Sequence, residues 1–248
     1  MQISANGAKE FMQVYAVSDI GLIRGSNQDA FFCDQEKGLF LIADGMGGYS
    51  GGEIASRIAV DVFRDHFVAI GEDGFCAEIG DLIRLANEEI CAASQRDESL
   101  HNMGTTLLVL ATDKKKIHLA HVGDCRAYLL RGNKITQLTS DHNVSGEMLR
   151  DGQLTEKEAM HHPGKNLLTR ALGRHAMLRV DFIEHDLKKN DYIFLCSDGL
   201  TGLVESEEIR QAIKECGGDL ENTCRFLLDI ALSRGGDDNI TMILLKNC

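Results

Sequence analysis

The stretch LFLIADGMGG, from Leu39 to Gly48, decides how this sequence folds. Its first five residues are apolar and predict a buried strand. Asp44 stands at the end of that strand, and Gly45 begins a run of glycines. Asp-Gly between apolar runs is typical of a hairpin turn, but a helical pattern follows here, and a turn does not need so many glycines. Such a loop suits close approach of the backbone to a ligand.

Other acids stand where an apolar strand begins or ends: Asp29, Asp198, Asp238 and, in a weaker pattern, Asp124. Each alone is typical of a turn. Several carboxylates at one end of a sheet would repel one another and be costly to desolvate. Divalent cations remove that conflict, and oxygen ligands favour Mg²⁺ or Mn²⁺ over zinc. The pattern predicts two such ions that clamp a phosphoryl group, with the planar guanidinium of Arg24 matched to phosphate oxygens.

Two familiar phosphate-binding loops do not fit this glycine run. The Walker pattern requires Lys and then Ser or Thr after its last glycine, whereas Glu53 and Ile54 follow Gly52. The dinucleotide pattern GxGxxG fails because Ser50 takes the place of its third glycine. An acid inside the loop would also repel phosphate directly.

Composition excludes several classes of protein. The 248 residues carry 38 acids and 26 basic residues, a net charge of −12, which argues against nucleic acid as a partner. No apolar run reaches 18 residues, and the N-terminus lacks the pattern of a secretory signal, so we expect no membrane segment and a cytoplasmic protein. The eight cysteines form no CxxC pair, which argues against structural zinc and indicates reduced thiols.

The order of the predicted elements favours an α+β fold. Helical patterns come in pairs, around Ile54–Phe63 with Ile79–Ile90 and around Glu205–Lys214 with Leu220–Ser233, whereas strands come in batches. This order argues for mostly antiparallel sheets with helices packed outside. The segment Ile117–Leu130 is predicted to be a hairpin with Gly123-Asp124 near its bend. The predicted strands are Gln13–Ser18, Leu39–Ala43, Thr105–Ala111, Ile117–Val122, Ala127–Leu130, Tyr192–Cys196 and Ile240–Leu244.

The segment 145–173 differs from the rest of the chain. It is polar, contains the only proline, and carries a possible capping box at Thr155 and Glu158. A segment of this length between strands is more often functional than structural, so we interpret it as a surface insertion. No repeat or linker interrupts the sequence, and a single domain over residues 1–248 is the simplest prediction.

Eight stretches together carry a family resemblance: RGSNQDAFF, LIADGMGG, MGTTLLVL, AHVGDCRAYLL, LTSDHNV, LLTRALG, FLCSDGLTGLV and GGDDNITMILL. In these stretches, in this order and from about Ser18 to Leu245, the chain resembles the metal-dependent protein serine/threonine phosphatases of the PP2C-like (PPM) family, in their compact bacterial form. The resemblance implies a four-layer α-β-β-α sandwich with two central antiparallel sheets and a metal centre at one edge. It also implies a phosphorylated protein substrate, such as a Ser/Thr kinase or its target.

The resemblance further assigns roles to single residues. Two Mn²⁺ or Mg²⁺ ions would activate a water for direct attack on phosphorus, without a covalent enzyme intermediate. Segment 145–173 would be the flap beside the active site. Asp44 would bridge both ions, and the carbonyl of Gly45 would be a ligand of one of them. Asp198 and Asp238 would bind the second ion, and Asp29 would contact the first. Asp124 would share a third and weaker ion with Asp198, and Arg24 would bind the substrate phosphate.

Two positions depart from the family pattern. Met46 stands where relatives from higher organisms often carry a histidine that is proposed as the general acid. A metal-bound water, His121 or His142 would then have to protonate the leaving group. A structural role is favoured for both histidines. Gln28 replaces a common glutamate and removes one charge near the metals.

Two alternatives compete with the hydrolase. Cys125 and Arg131 have the spacing of a cysteine-based phosphatase, but an apolar strand lies between them, which indicates an accidental match. The other alternative is a phosphatase fold without catalysis that acts as a regulatory binding module. Such a protein would be expected to lose metal-binding aspartates, and this chain retains them.

Overall fold

The computed structural model describes residues 12–48, 50–69, 74–113, 115–174 and 178–248. Its described strands are β1 Met12–Asp19, β2 Asp29–Asp34, β3 Leu39–Met46, β4 Gly104–Thr105, β5 Leu107–Thr112, β6 Lys116–Val122, β7 Arg126–Arg131, β8 Lys134–Gln137, β9 Asp181–Asp186, β10 Tyr192–Cys196 and β11 Ile240–Asn247. Its described α-helices are α1 Gly51–His66, α2 Phe75–Arg96, α3 Val144–Arg150, α4 Glu156–Met160, α5 Asp198–Thr201, α6 Ser206–Glu215 and α7 Leu220–Ser233.

The strands form two antiparallel sheets. One has the order β1-β11-β10-β7-β8, and the other has the order β2-β3-β5-β6-β9 with β4 paired to β3. Alternate residues of β3 point to opposite faces of its sheet. Leu39 and Leu41 pack with α1 and α2, whereas Phe40 and Ile42 pack with residues of the other sheet. The apolar run is continuous because both faces of this strand are covered.

Helices cover the two outer faces. The apolar residues of α1 and α2 pack on the sheet that contains β3, and those of α6 and α7 pack on the sheet that contains β10 and β11. The pattern predicted for α2 is confirmed, because Ile79, Ile83 and Ile90 are all buried. The predicted four-layer α-β-β-α sandwich is confirmed, and the helices lie outside the two sheets.

The predicted hairpin over Ile117–Leu130 is wrong. β6 pairs with β5 and β9 in one sheet, whereas β7 pairs with β8 and β10 in the other. The chain crosses between sheets at Gly123, which has a φ of 114°. A Cβ at this glycine would lie 2.5 Å from the Cβ of Thr106, so no side chain fits there. An Asp-Gly or Gly-Asp turn signal marks a change of direction but does not specify which sheet receives the next strand.

Three strands were absent from the sequence prediction, namely β2, β8 and β9. Every residue of β2 is half-buried, and most residues of β8 and β9 are half-buried or exposed. Their weak apolar alternation reflects sheet-edge positions, since β2 and β9 are the edges of one sheet and β8 is an edge of the other.

Within segment 145–173, α3 and α4 are both short. The capping box of Thr155 and Glu158 is confirmed at the start of α4. The side chain of Asn143 caps α3 by accepting a hydrogen bond of 2.8 Å from the Gly146 amide. Among the helices of the described ranges, none has the length and apolar character that crossing a lipid bilayer would require.

Candidate metal centre

Acidic residues from both sheets meet at one edge of the sandwich. β2 and β3 pair in a register that places Asp29 directly opposite Asp44. In the other sheet, Asp198 follows β10 and Asp238 precedes β11, and these two strands are neighbours. The pairing of β2 with β3 therefore brings Asp29 to Asp44, and the pairing of β10 with β11 brings Asp198 to Asp238.

These carboxylates act electrostatically on one another. Burial raises the pKa of Asp44 well above its ordinary value, and the charges of Asp29, Asp198, Asp124 and Asp238 raise it further. Burial also raises the pKa of Asp198, with Asp238 as the largest neighbouring charge, and the Asp44 side chain lies within hydrogen-bonding reach of it. The five predicted acids thus form one cluster, which is costly to hold ionised without a cation.

Asp29 contributes a buried carboxylate oxygen that receives no hydrogen bond. Its Oδ2 accepts a hydrogen bond of 2.8 Å from the Ser197 hydroxyl, but its Oδ1 is buried and has no hydrogen-bond partner. Burial raises the pKa of Asp29 to about 7, although the neighbouring Thr241 and the hydrogen bond from Ser197 oppose this rise. A buried carboxylate oxygen with no donor is suited to a cation.

Asp124 lies at the crossing between the two sheets. It is buried, and its Oδ2 accepts a hydrogen bond of 3.1 Å from the side-chain amide of Asn143. Burial, followed by the charge of Asp198, raises its pKa well above the ordinary value. The structure thus places Asp124 beside Asp198, as the prediction of a third site requires.

Arg24 also reaches the cluster. Its Nη2 donates to Asp238 Oδ2 at 2.7 Å, and its side chain is 52% exposed. The guanidinium therefore supplies positive charge to Asp238, whose side chain is 32% exposed. A substrate phosphate would have to compete with Asp238 for this arginine.

The backbone around Asp44 is held firmly. Its amide donates to the hydroxyl of Thr106 at 2.9 Å, and its carbonyl accepts from the Thr106 amide at 2.8 Å and the Thr105 hydroxyl at 2.9 Å. A Cβ on Gly45 would lie 2.1 Å from the Gly52 carbonyl oxygen, so only glycine fits there. The glycine run thus lets the end of β3 pack against the start of α1.

Thr105 and Thr106 stand in the stretch MGTTLLVL, but no role at the metal centre was predicted for them, for Ser197 or for Asn143. The available signal was a short polar residue next to a predicted acid, as for Ser197, or just before the predicted surface insertion, as for Asn143. Their partners lie far away in the chain, so spacing alone could not identify them.

The donor set fits hard divalent cations. Its side-chain donors are carboxylate oxygens, which suit Mg²⁺ and Mn²⁺. Within the described ranges, no three acidic, histidine or cysteine side chains are already arranged to hold one ion. Ion binding would have to draw the carboxylate oxygens together, and the bond from Arg24 to Asp238 would have to give way.

The two histidines named as alternative acids are buried and stacked, with ring centroids 4.7 Å apart. Burial, reinforced by the nearby His142, lowers the pKa of His121 to about 3, so this ring is uncharged at neutral pH and is not poised to act as an imidazolium acid. His142 accepts from the Gly123 amide at 3.1 Å, and its Nε2 lies 3.1 Å from Asp181 Oδ2. These contacts give His142 a structural role behind the Asp124 loop.

The cysteine-based alternative is not supported by the environment of Cys125. The thiol is buried, and its Sγ lies 3.2 Å from the Thr106 hydroxyl oxygen. Burial, followed by the charge of Asp44, raises its pKa well above the ordinary value. A nucleophilic cysteine needs a lowered pKa and access to substrate.

A cavity of about 650 Å³ extends from the acids Asp124, Asp198 and Asp238. Residues of segment 145–173, including Lys157 and Lys165, form part of its wall. The cavity is large enough for a peptide side chain carrying phosphate. An acidic cluster, a phosphate-matched arginine and an adjoining cavity at the edge of an α-β-β-α sandwich define the class of metal-dependent protein phosphatases.

The comparison with protein families places the chain within that class. Residues 24–227 match the family described as protein phosphatase 2C, and the chain belongs to this family. The resemblance inferred from the eight stretches is thereby confirmed.

Similar proteins cover nearly the whole chain. The serine/threonine phosphatase stp of Listeria welshimeri is 35% identical over 236 residues, which are 92% of this chain and 93% of that protein. Protein phosphatase PhpP of Streptococcus pneumoniae is 36% identical over 242 residues, 95% of this chain and 97% of PhpP. The crystal structure of the catalytic domain of serine/threonine protein phosphatase PstP with two manganese ions has a TM-score of 0.85 at 30% identity, covering 95% of this chain and 97% of that domain.

Proposed function

We propose that the protein hydrolyses phosphoserine and phosphothreonine in other proteins, and that two Mn²⁺ or Mg²⁺ ions bind at the acidic cluster, with a third site at Asp124 and Asp198. The observation that carries this proposal is the buried, unpartnered Oδ1 of Asp29 inside a cluster of five carboxylates. Such a cluster is costly unless cations occupy it. The names of the similar proteins support the substrate class.

Asp44 would bridge the two ions, with Asp29 on one side and Asp198 and Asp238 on the other, and the Gly45 carbonyl would complete the set. Bound ions supply Lewis-acid charge to the phosphoryl group and lower the pKa of water. The threonine contacts to the Asp44 backbone hold its carboxylate in place before substrate arrives. Ordered positions of this kind lower the reorganisation needed during reaction.

Arg24 would bind the phosphate of the substrate. In the structure it donates to Asp238, and this bond would weaken when a cation takes over the charge of that acid. The guanidinium could then turn to the phosphate oxygens, which match its planar fork. His121 is neutral and enclosed, which disfavours it as the acid, so we assign protonation of the leaving hydroxyl to water.

We also propose a phosphorylated Ser/Thr kinase, or a target of that kinase, as the partner, and the cytoplasm as the compartment. All eight cysteines are free, which supports a reducing environment. The flap would be segment 145–173, and the proposed domain covers residues 1–248.

The test is phosphate release from a phosphothreonine peptide by chelator-treated protein, with and without added Mn²⁺ or Mg²⁺. Release that depends on the ion and exceeds release from the matching phosphotyrosine peptide supports the proposal. Ion binding by calorimetry without any turnover would contradict it and favour the regulatory binding module.

A further inference from the structure

The loop between β1 and β2 displays aliphatic side chains next to the proposed phosphate-binding arginine. Ile20, Leu22 and Ile23 are 38%, 64% and 71% exposed, and Arg24 follows directly. Single exposed aliphatic residues are ordinary on protein surfaces. Three within four residues, ending beside a catalytic arginine, form a local apolar surface, which we call the apolar loop (Ile20–Ile23).

The backbone of the apolar loop is fixed at both ends. The Leu22 amide donates to the Gly236 carbonyl at 2.8 Å. The side-chain amide of Asn239 donates to the carbonyls of Ile20 at 2.9 Å and Ser26 at 3.1 Å. The backbone of the loop is therefore tied to the segment just before β11.

Gly21 shows how closely the apolar loop approaches the acidic cluster. It has a φ of 76°, and a Cβ at this position would lie 2.3 Å from the carbonyl oxygen of Asp238. Only glycine permits this approach. The backbone of the apolar loop therefore lies directly against Asp238, one of the acids of the proposed active site.

We propose that Leu22 and Ile23 determine substrate specificity by binding an apolar side chain located within two positions of the phosphorylated residue. This inference rests on the proposed function. Consecutive Cα atoms are about 3.8 Å apart, and an extended peptide advances about 3.3–3.6 Å per residue. Residues one or two positions from the phosphorylated residue thus lie within about 7 Å of it along the peptide, and Leu22 and Ile23 are likewise the two residues that precede Arg24.

The surroundings favour an apolar occupant at this place. The acids and Arg24 bind charge, and the large cavity is lined on its flap side by polar and charged groups such as Glu156, Lys157 and Lys165. The apolar loop lies outside that lining. The apolar loop offers a contact for an apolar side chain of the substrate, directly beside Arg24 in the sequence. A surface whose backbone is already fixed loses little conformational entropy on binding.

The experiment compares phosphothreonine peptides that carry Leu or Ser at each of the two positions before and after the phosphothreonine. We expect the wild-type protein to prefer Leu over Ser in kcat/KM by about tenfold at one or more positions, equivalent to about 1.4 kcal/mol. In the variant Leu22→Ser/Ile23→Ser this ratio should fall to about one. Hydrolysis of p-nitrophenyl phosphate, which has no flanking residues, should not change.

The matched control is Val68→Ser. Val68 is 76% exposed and is not adjacent to Arg24 in the sequence, so this variant should keep the wild-type ratio. Surface substitutions of this kind usually change stability by less than about 0.5 kcal/mol, and thermal unfolding of all variants checks that the fold is retained.

Two results would overturn the inference. One is a wild-type ratio near one at all four positions. The other is an unchanged ratio in the double variant; loss of a wild-type dimer in that variant would then assign the apolar loop to an interface between two copies of the chain. In each case the wild-type protein still hydrolyses p-nitrophenyl phosphate with added Mn²⁺. Absence of that hydrolysis would instead contradict the proposed function itself.

Discussion

Replacing Asp29 by asparagine should stabilise the metal-free protein. Burial raises the pKa of this carboxyl from 3.8 to about 7, and each pKa unit corresponds to about 1.36 kcal/mol. Keeping Asp29 ionised in the folded state at pH 8 thus costs about 4 kcal/mol. Burying the new amide NH₂ costs about 1–3 kcal/mol where it finds no acceptor, so we expect a net gain of about 1–3 kcal/mol.

The effect of pH has a definite sign. The unfolded carboxyl ionises near 3.8 and the folded one near 7, so between these values the folded state holds more protons. The free energy of unfolding of the wild-type protein therefore falls as pH rises from about 4 to 7. Asp29→Asn lacks this contribution, and its advantage over wild type should grow across that window and level off near pH 8.

The assay is urea unfolding in EDTA at several pH values, repeated with Mn²⁺. Mn²⁺ at a hundred times its Kd should stabilise the wild-type protein by about 2.7 kcal/mol and the variant by less, since a ligand has been removed. Asp229→Asn, at an exposed position of α7, is the control for loss of one charge. A variant no more stable than wild type in EDTA at pH 8, or an advantage that does not depend on pH, would refute the reasoning.

Substitutions at three further positions test the proposed metal centre. Asp44→Asn should abolish turnover with an unchanged circular dichroism spectrum; activity near that of wild type would refute the bridging role. Arg24→Ala should lower kcat/KM for a phosphopeptide by about tenfold to a hundredfold, and equal values would refute phosphate binding. Thr106→Val should reduce the free energy of unfolding by about 1–3 kcal/mol, since the Asp44 amide loses its acceptor, whereas Thr106→Ser should stay close to wild type in the same urea titration.

Local patterns were sufficient for most helices and for the buried strands. Residues 39–43 of β3 are apolar without interruption because helices cover one face of the strand and the second sheet covers the other. The spacing of apolar residues in α2 and the capping box of α4 depend on neighbours within a few residues, which the sequence displays directly. Edge strands such as β9 escaped prediction because they bury little apolar surface.

The sequence by itself determined which acids stand at strand ends and which chemistry suits them, because each depends on residue type and on the few residues beside it. Only the tertiary structure decided that β6 and β7 belong to different sheets, that Ser197 donates to Asp29, and that Arg24 reaches Asp238 from 214 positions away. Such contacts depend on the pairing order of strands and on backbone crossings like the one at Gly123, and these are set by packing of the whole chain.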